Sequence, residues 1–365
     1  MMDLLAVPFG WVLKACYVIS NNYVIALLIF SVAMQLLLSP FGIIQQKNMV
    51  KQAKMRPLEY IIRKKYAGRT DRATQQKMQQ EIMELYQKEG YSPLKGCLPM
   101  LLQLVIIFPL YQVVVRPLQF VGGIPKGVCS TIVACFENYK DAAGNLVYSL
   151  PKSAKEVYVS NLIKGMDSDA LDAVITQFSA DKVSVTEEQA SEALYYLTSR
   201  IDNIPNVSIF GQNLGEQPFS AFGNFSGLWF LLLIPVINLG IMYLSQFLTK
   251  KLNPQAQEQQ NAAAGGAMNS MKIMMWTLPL MTFFFTFTFP AAIGIYWIFR
   301  TLLSMLQQFI LSKAIKLPIY TDEELKALEK EMKDAKRGQS KRPDIVYNSG
   351  EPKQYKSLHH IDDDE

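Results

Sequence analysis

The sequence is short of the residues that most chemistry needs. Histidine occurs twice in 365 residues, at His359 and His360, in a polar stretch near the C-terminal end. Imidazole acid–base catalysis and most zinc sites are thereby removed from the rest of the chain. No P-loop signature (GxxxxGKS or GxxxxGKT) occurs, which excludes nucleotide hydrolysis by that device. Four cysteines, Cys16, Cys97, Cys129 and Cys135, make no metal-ligand spacing. Cys129 and Cys135 form a disulfide if their compartment is oxidising, or stay as two thiols if it is reducing. Charge is scarce too, at 18% of residues against 50% hydrophobic. The expectation is a protein that is not an enzyme and needs no cofactor or metal.

The scarcity of charge comes from long apolar runs. Five are long enough, or nearly so, to cross a hydrocarbon core of about 30 Å, which takes roughly 20 helical residues. They are Tyr23–Ile44, Cys97–Val115, Leu228–Leu248, Ile273–Phe289 and Ala291–Leu311. Alternating segments of the β-barrel kind are absent. The expected fold class is an all-α integral membrane protein with five transmembrane helices. None of the five runs contains Asp or Glu. Coupled transporters usually need an intramembrane carboxylate. A channel or transporter, the competing class, would have to work through amides and hydroxyls.

Loop charge orients the spans. Residues 45–95 carry twelve Lys/Arg against five Asp/Glu, and basic loops beside spans stay in the cytoplasm. The N-terminus then lies outside and the C-terminus in the cytoplasm. The stretch 249–272 agrees with three bases and one acid, and the outer 117–227 has seven bases and twelve acids. The expected organisation is an outer interfacial amphipathic segment (1–22), a first span (23–44), a basic cytoplasmic hairpin (45–95) and a second span (96–116). An extracytoplasmic subdomain (117–227) precedes the third span (228–248). A cytoplasmic loop (249–272), two closing spans (273–289 and 290–313) and a charged cytoplasmic tail (314–365) follow. The first twenty residues lack the basic n-region of a signal peptide, with Asp3 in its place. Leu4, Leu5, Phe9, Trp11 and Val12 suit a helix lying at the outer interface.

Composition predicts two cytoplasmic helices, Gln45–Lys65 and Arg72–Glu89, broken near Gly68. In the outer loop, Leu171, Val174, Ile175 and Phe178 follow helical spacing, and Glu187–Ile201 predicts a second helix with Leu194, Tyr195 and Leu197 inside. A charged helix over Thr321–Arg337 opens the tail, with Asp322, Glu323 and Glu324 in its first turn, as the helix dipole prefers.

The spans hold isolated polar groups, each costly in hydrocarbon unless partnered. They include Gln35, Gln103, Gln112, Asn238, Gln246, Thr282, Thr286, Thr301 and, well inside the fifth run, Arg300. Helix–helix hydrogen bonding accounts for an amide or hydroxyl. Arg300 has no acid at membrane depth, so it must face water or polar groups, or snorkel toward the interface.

Several separated motifs resemble one family. The run YSPLKGCLPMLLQ, followed by LYQ, resembles the second-span signature of the YidC/Oxa/Alb membrane protein insertases. Pro279–Leu280 and PAAIGIYWIFRTLLSMLQQFIL are similar to their last two spans. LLLSPFGIIQQKNMVKQAKMRPLEYIIRKKY resembles their first span running into the cytoplasmic hairpin, and FGQNLGEQP their loop before the third span. The resemblance covers about residues 20–120 and 205–315.

It implies a bacterial plasma-membrane insertase and chaperone of the five-span type, working without ATP hydrolysis. A polar groove open to the cytoplasm and to lipid would receive nascent membrane proteins. The ribosome, the Sec translocon and membrane lipids are the implied further partners. The family's usual groove arginine lies five residues before the proline that ends span one; here Gln35 stands there, ahead of Pro40. Gln35 is about 18 Å from the outer end of its span and Arg300 about 15 Å from Pro290, at 1.5 Å per residue. The groove's positive charge is therefore expected on span five, at Arg300. Gln35, Gln103, Asn238, Thr282 and Thr301 are expected to line the groove beside it.

Overall fold

A computed structural model describes residues 2–69, 71–91, 106–151, 154–180, 185–222, 225–252, 269–336, 346–348 and 352–354. The chain begins with α1 (Met2–Ser20), α2 (Tyr23–Lys65) and α3 (Arg72–Lys88), followed by the apolar α4 (Ile106–Val115). Four-residue α5 (Pro117–Phe120) leads to α6 (Lys126–Asn138), α7 (Lys155–Lys164), α8 (Ser168–Ala180) and α9 (Glu187–Arg200). A two-residue hairpin, β1 (Ser208–Ile209) and β2 (Gln212–Asn213), precedes α10 (Phe225–Leu252). Then come α11 (Asn269–Thr288), α12 (Ala291–Ala314) and α13 (Asp322–Lys336), with a short strand pair, β3 (Val346–Asn348) and β4 (Pro352–Gln354), in the tail. Among the described residues, Tyr23–Lys65 and Trp229–Leu252 are long and apolar enough to cross a membrane, by length and composition. Shorter apolar helices lie at Ala6–Ser20, Ile106–Val115 and Pro279–Thr288.

The sequence reading separates a first span from a helix starting at Gln45, but α2 runs unbroken for 43 residues with Pro40 and Pro57 inside it. The Gln-, Lys- and Met-rich stretch after Pro40 has high helix propensity, and extending a formed helix costs far less than nucleating a new one. Arg63, Lys64 and Lys65 close α2 where its dipole is negative, and Gly68, at φ +82°, turns the chain. Asp71 then caps α3 by accepting a hydrogen bond from the Thr74 N–H at 2.8 Å.

The chain divides into two compact units. One comprises residues 1–37, 102–245 and 277–304. Within it α6, α7, α8 and α9 enclose a core of Ile132, Cys135, Phe136, Ile163, Leu171, Val174 and Leu197. Of the stripe expected on α8, Leu171, Val174 and Ile175 are inside, and the Phe178 side chain lies outside the described ones. On α9 the buried line is Ala190, Ala193 and Leu197, and Tyr195 is 66% exposed. Cys129 and Cys135 are both buried, free thiols on α6. Six helical residues separate them by about 9 Å along the axis, beyond disulfide reach, so the thiol alternative holds. α1 buries Ala6, Gly10, Leu13, Cys16 and Tyr17 and exposes Trp11, Val18 and Ile19. Gly10 gives room to the Phe120 ring of α5.

The β1–β2 hairpin turns at Phe210 and Gly211, both at positive φ, as a two-residue turn matching strand twist requires. Phe210 is 82% exposed and meets Phe230 at 5.2 Å between ring centroids. Phe219, Phe222 and Trp229 are exposed around the same end of α10, and Phe222 stacks on Phe287 of α11.

The second unit comprises residues 38–101, 246–276 and 305–365. In it the Gln46 amide donates to the Ile315 carbonyl at 3.0 Å, and the Thr249 hydroxyl donates to Gln308 Oε1 at 3.0 Å. Glu59 is buried, accepts the Tyr86 hydroxyl at 2.7 Å, and has its carboxyl pushed above the usual range by burial. Leu325 and Tyr320 bury against this unit, and Glu329 pairs with Lys64.

Candidate functional site

The polar residues of the apolar helices fall into two settings. Asn238, on α10, is buried, and its side-chain nitrogen reaches the Gly294 carbonyl of α12 at 3.4 Å, a weak bond. Its Oδ1 is buried and has no hydrogen-bond partner among the described residues. Gly294 is where α10, α11 and α12 converge: a Cβ there would lie 2.6 Å from Ile234 Cγ2 and 3.1 Å from Thr286 Cγ2. Only glycine allows that approach. Thr286 is buried and donates to the Thr282 carbonyl at 2.8 Å, within its own helix.

The second setting is half-exposed. Gln35 on α2, Thr282 on α11, and Arg300 and Thr301 on α12 are each partly accessible. The Thr301 hydroxyl donates to the Trp297 carbonyl at 2.8 Å, so its proton is committed to the helix and its oxygen remains an acceptor. Phe30 of α2 and Tyr296 of α12, both buried, meet at 6.2 Å between ring centroids. Gln35 is five residues beyond Phe30, while Arg300 and Thr301 are four and five beyond Tyr296. Asn238 thus meets Gly294 at a packed junction with Thr286, which bonds the carbonyl of half-exposed Thr282. Gln103 lies outside the described residues.

Sequence reasoning missed Gly294 and the backbone that begins α12. The Ala291 and Ala292 N–H groups donate to the carbonyls of Glu216 and Leu214, each at 2.9 Å. The FGQNLGEQP loop therefore satisfies two of the donors that every helix start leaves open. Asn161 of α7 grips the chain three residues before that loop. Its amide donates to the Val207 carbonyl at 3.0 Å and accepts the Val207 N–H at 2.6 Å.

The helices thus fit a membrane protein of α-helical class, with polar side chains on its apolar helices. The model of the family described as 60Kd inner membrane protein matches residues 15–142 and 191–318. The chain belongs to this family, that of the YidC/Oxa/Alb proteins. It is similar to a membrane protein insertase YidC of Oceanobacillus iheyensis, 38% identical over 110 residues, which are 30% of this chain and 43% of the relative. A YidC of Caldanaerobacter subterraneus is 37% identical over 110 residues, 30% of this chain and 51% of that one. A third relative, membrane protein insertase YidC 1 of Halalkalibacterium halodurans, is 29% identical over 161 residues, covering 42% and 62%. The chain spans less than two thirds of the length of each of these relatives. It is a protein of the bacterial plasma membrane. Residues 143–190, which hold α7 and α8, fall between the two matched stretches.

Proposed function

We propose that this chain is a membrane protein insertase and chaperone with five spans, its N-terminus outside and its C-terminus in the cytoplasm. Nascent membrane segments enter a polar groove open to the cytoplasm and to lipid, and no nucleotide is hydrolysed. Family membership and the relatives, which are membrane protein insertases, support the activity. The observation that carries the groove is Arg300, half-exposed in a helix whose outer six residues are all buried.

In this topology the first and fifth spans run in the same direction. From the Phe30–Tyr296 contact, an equal rise of about 7.5 Å along each helix brings Gln35 level with Thr301, and Arg300 lies about 1.5 Å short of that. An arginine at such depth is stable only beside water or polar groups. It attracts the hydrophilic end of a nascent segment, while the apolar part moves into lipid and supplies the driving force. Gln35, Gln103, Thr282 and Thr301 line the groove in this reading, and Asn238 acts at its packed wall. The basic stretch of α2, with α3, contacts the ribosome or anionic headgroups by charge. Cooperation with the Sec translocon belongs to the same proposal.

Photo-crosslinking from positions 35 and 300 to a ribosome-stalled nascent membrane segment tests the groove. Crosslinks at both positions that vanish on chain release are expected. Silence at both, in folded protein, would sink the groove. Arg300→Leu should impair insertion of charged-tail substrates at unchanged protein level, and Arg300→Lys should retain most of it.

A further inference from the structure

A cavity of about 450 Å³ opens where the apolar α4 ends, between that end, α6 and the start of α7. Its apolar floor includes Tyr111, Val115, Val133 and Ala134. Around it stand three basic side chains, Arg116, Lys126 and Lys155, against two carboxyls, Glu137 and Glu156. Lys155 is held by Glu137 at 2.6 Å. Burial disfavours the charged form of Glu156, which lies in the field of Arg116 and Lys126 and receives a long hydrogen bond, 3.4 Å, from the Gln119 N–H. The balance of the lining is therefore cationic. α7 opens into the same space: Ala154, Lys155 and Glu156 line it, Ala154 in the left-handed conformation and with no side-chain cap on the helix. The positive end of that helix adds to the same potential.

We propose that this cavity binds a phosphate-type anion carried on an apolar body, namely the headgroup of an acidic phospholipid of the outer leaflet. The anion meets Arg116 and Lys126, and the glycerol and upper acyl carbons lie on Tyr111, Val133 and Ala134. The choice of a lipid over a free anion comes from place and lining. Ile106–Val115 is apolar and ends at the cavity, the level at which headgroups sit beside a span. A site for inorganic phosphate would have no use for an apolar floor. The choice of a lipid rests on α4 being part of a span, and the leaflet on the orientation, both as proposed above.

The test uses the purified full chain in neutral detergent, offered phosphatidylglycerol, phosphatidylcholine with the same acyl chains, and inorganic phosphate, with binding read by native mass spectrometry. One phosphatidylglycerol should be retained in preference to phosphatidylcholine. The double variant Arg116→Gln/Lys126→Gln should weaken that retention about tenfold or more, since two charge-assisted contacts are lost. Ala134→Phe, which fills the floor and keeps every charge, should weaken it as well. Thermal melting identifies any variant that fails to fold. Equal retention of both lipids, or retention untouched by the double variant, overturns the proposal. Displacement of the lipid by millimolar inorganic phosphate keeps the anion site and overturns its assignment to lipid. Labelling of the exposed Ala142→Cys in intact cells checks the orientation separately. Labelling only from the cytoplasm, with lipid preference intact, would remove the topology and leave the lipid site standing.

Discussion

Asn161 and Val207 are joined by two hydrogen bonds, amide to carbonyl at 3.0 Å and backbone N–H to side-chain oxygen at 2.6 Å. The pair ties α7, from the stretch between the two family-matched segments, to the chain three residues before the loop whose carbonyls start α12. Asn161→Ala removes both bonds and strands the N–H of buried Val207, whose carbonyl keeps the Leu214 N–H at 3.0 Å. It should cost about 1–3 kcal/mol and lower the melting temperature of the purified protein. A melting curve identical to wild type would refute the tie.

Gly294→Ala sets two effects against each other. Alanine gains about 1 kcal/mol of helix propensity, but its Cβ would stand 2.6 Å from Ile234 Cγ2, and overpacking costs about 1–3 kcal/mol. A net loss of about 1 kcal/mol is expected. In an Ile234→Ala background the same change should be neutral or stabilising. Equal effects in both backgrounds would show that the helices do not meet there.

Glu156 makes stability depend on pH. Burial pushes its carboxyl up to about 7 from an ordinary 4.5. Between those values the folded protein holds a proton that the unfolded chain releases, so stability falls as pH rises through that window and levels off above it. The full span is about 3 kcal/mol at most. Glu156→Gln should flatten the dependence and raise the melting temperature at pH 8. Melting curves of both proteins from pH 4 to 8 decide it, and parallel dependence would be contrary.

Cys129 and Cys135 should resist thiol reagents in the folded state. Burial raises both thiols, Cys135 to about 11, so little thiolate forms at neutral pH. Maleimide labelling should be slow until denaturant is added, and mobility on non-reducing gels should match that on reducing gels. Rapid labelling of native protein would contradict the burial.

The helical membrane class was legible in the sequence because apolar runs of span length leave few alternatives. The continuity of α2 was not, since Pro40 and the sharp change of composition after Ile44 read as a boundary, though the helix runs through both. α6 and α7 escaped notice for a local reason. Neither has a side-chain cap, α6 starting after Pro125 and α7 after a left-handed Ala154, so the usual start signals are missing. α9, opened by the Thr186–Gln189 capping box, was readable, but not which tyrosine faces inward. Among the candidate site residues, the sequence marked Asn238 and Arg300 as costly at span depth. It could not pair Asn238 with Gly294, because a glycine in a span advertises a close approach without naming the partner.

The exposed rings around the start of α10 have a mechanical meaning. Phe210, Phe219, Phe222 and Trp229 are exposed around one end of that helix, and tryptophan favours the boundary between headgroups and acyl chains. In the topology proposed above, they are a waterline painted on the protein. A bilayer of another thickness cannot slide past that mark without drowning or stranding the rings, so the mismatch must be absorbed at the opposite leaflet or by tilt. Under the function proposed above, the distance a hydrophilic tail has to travel is then set by the local membrane on the far side of the waterline, and lipid composition becomes a control on throughput.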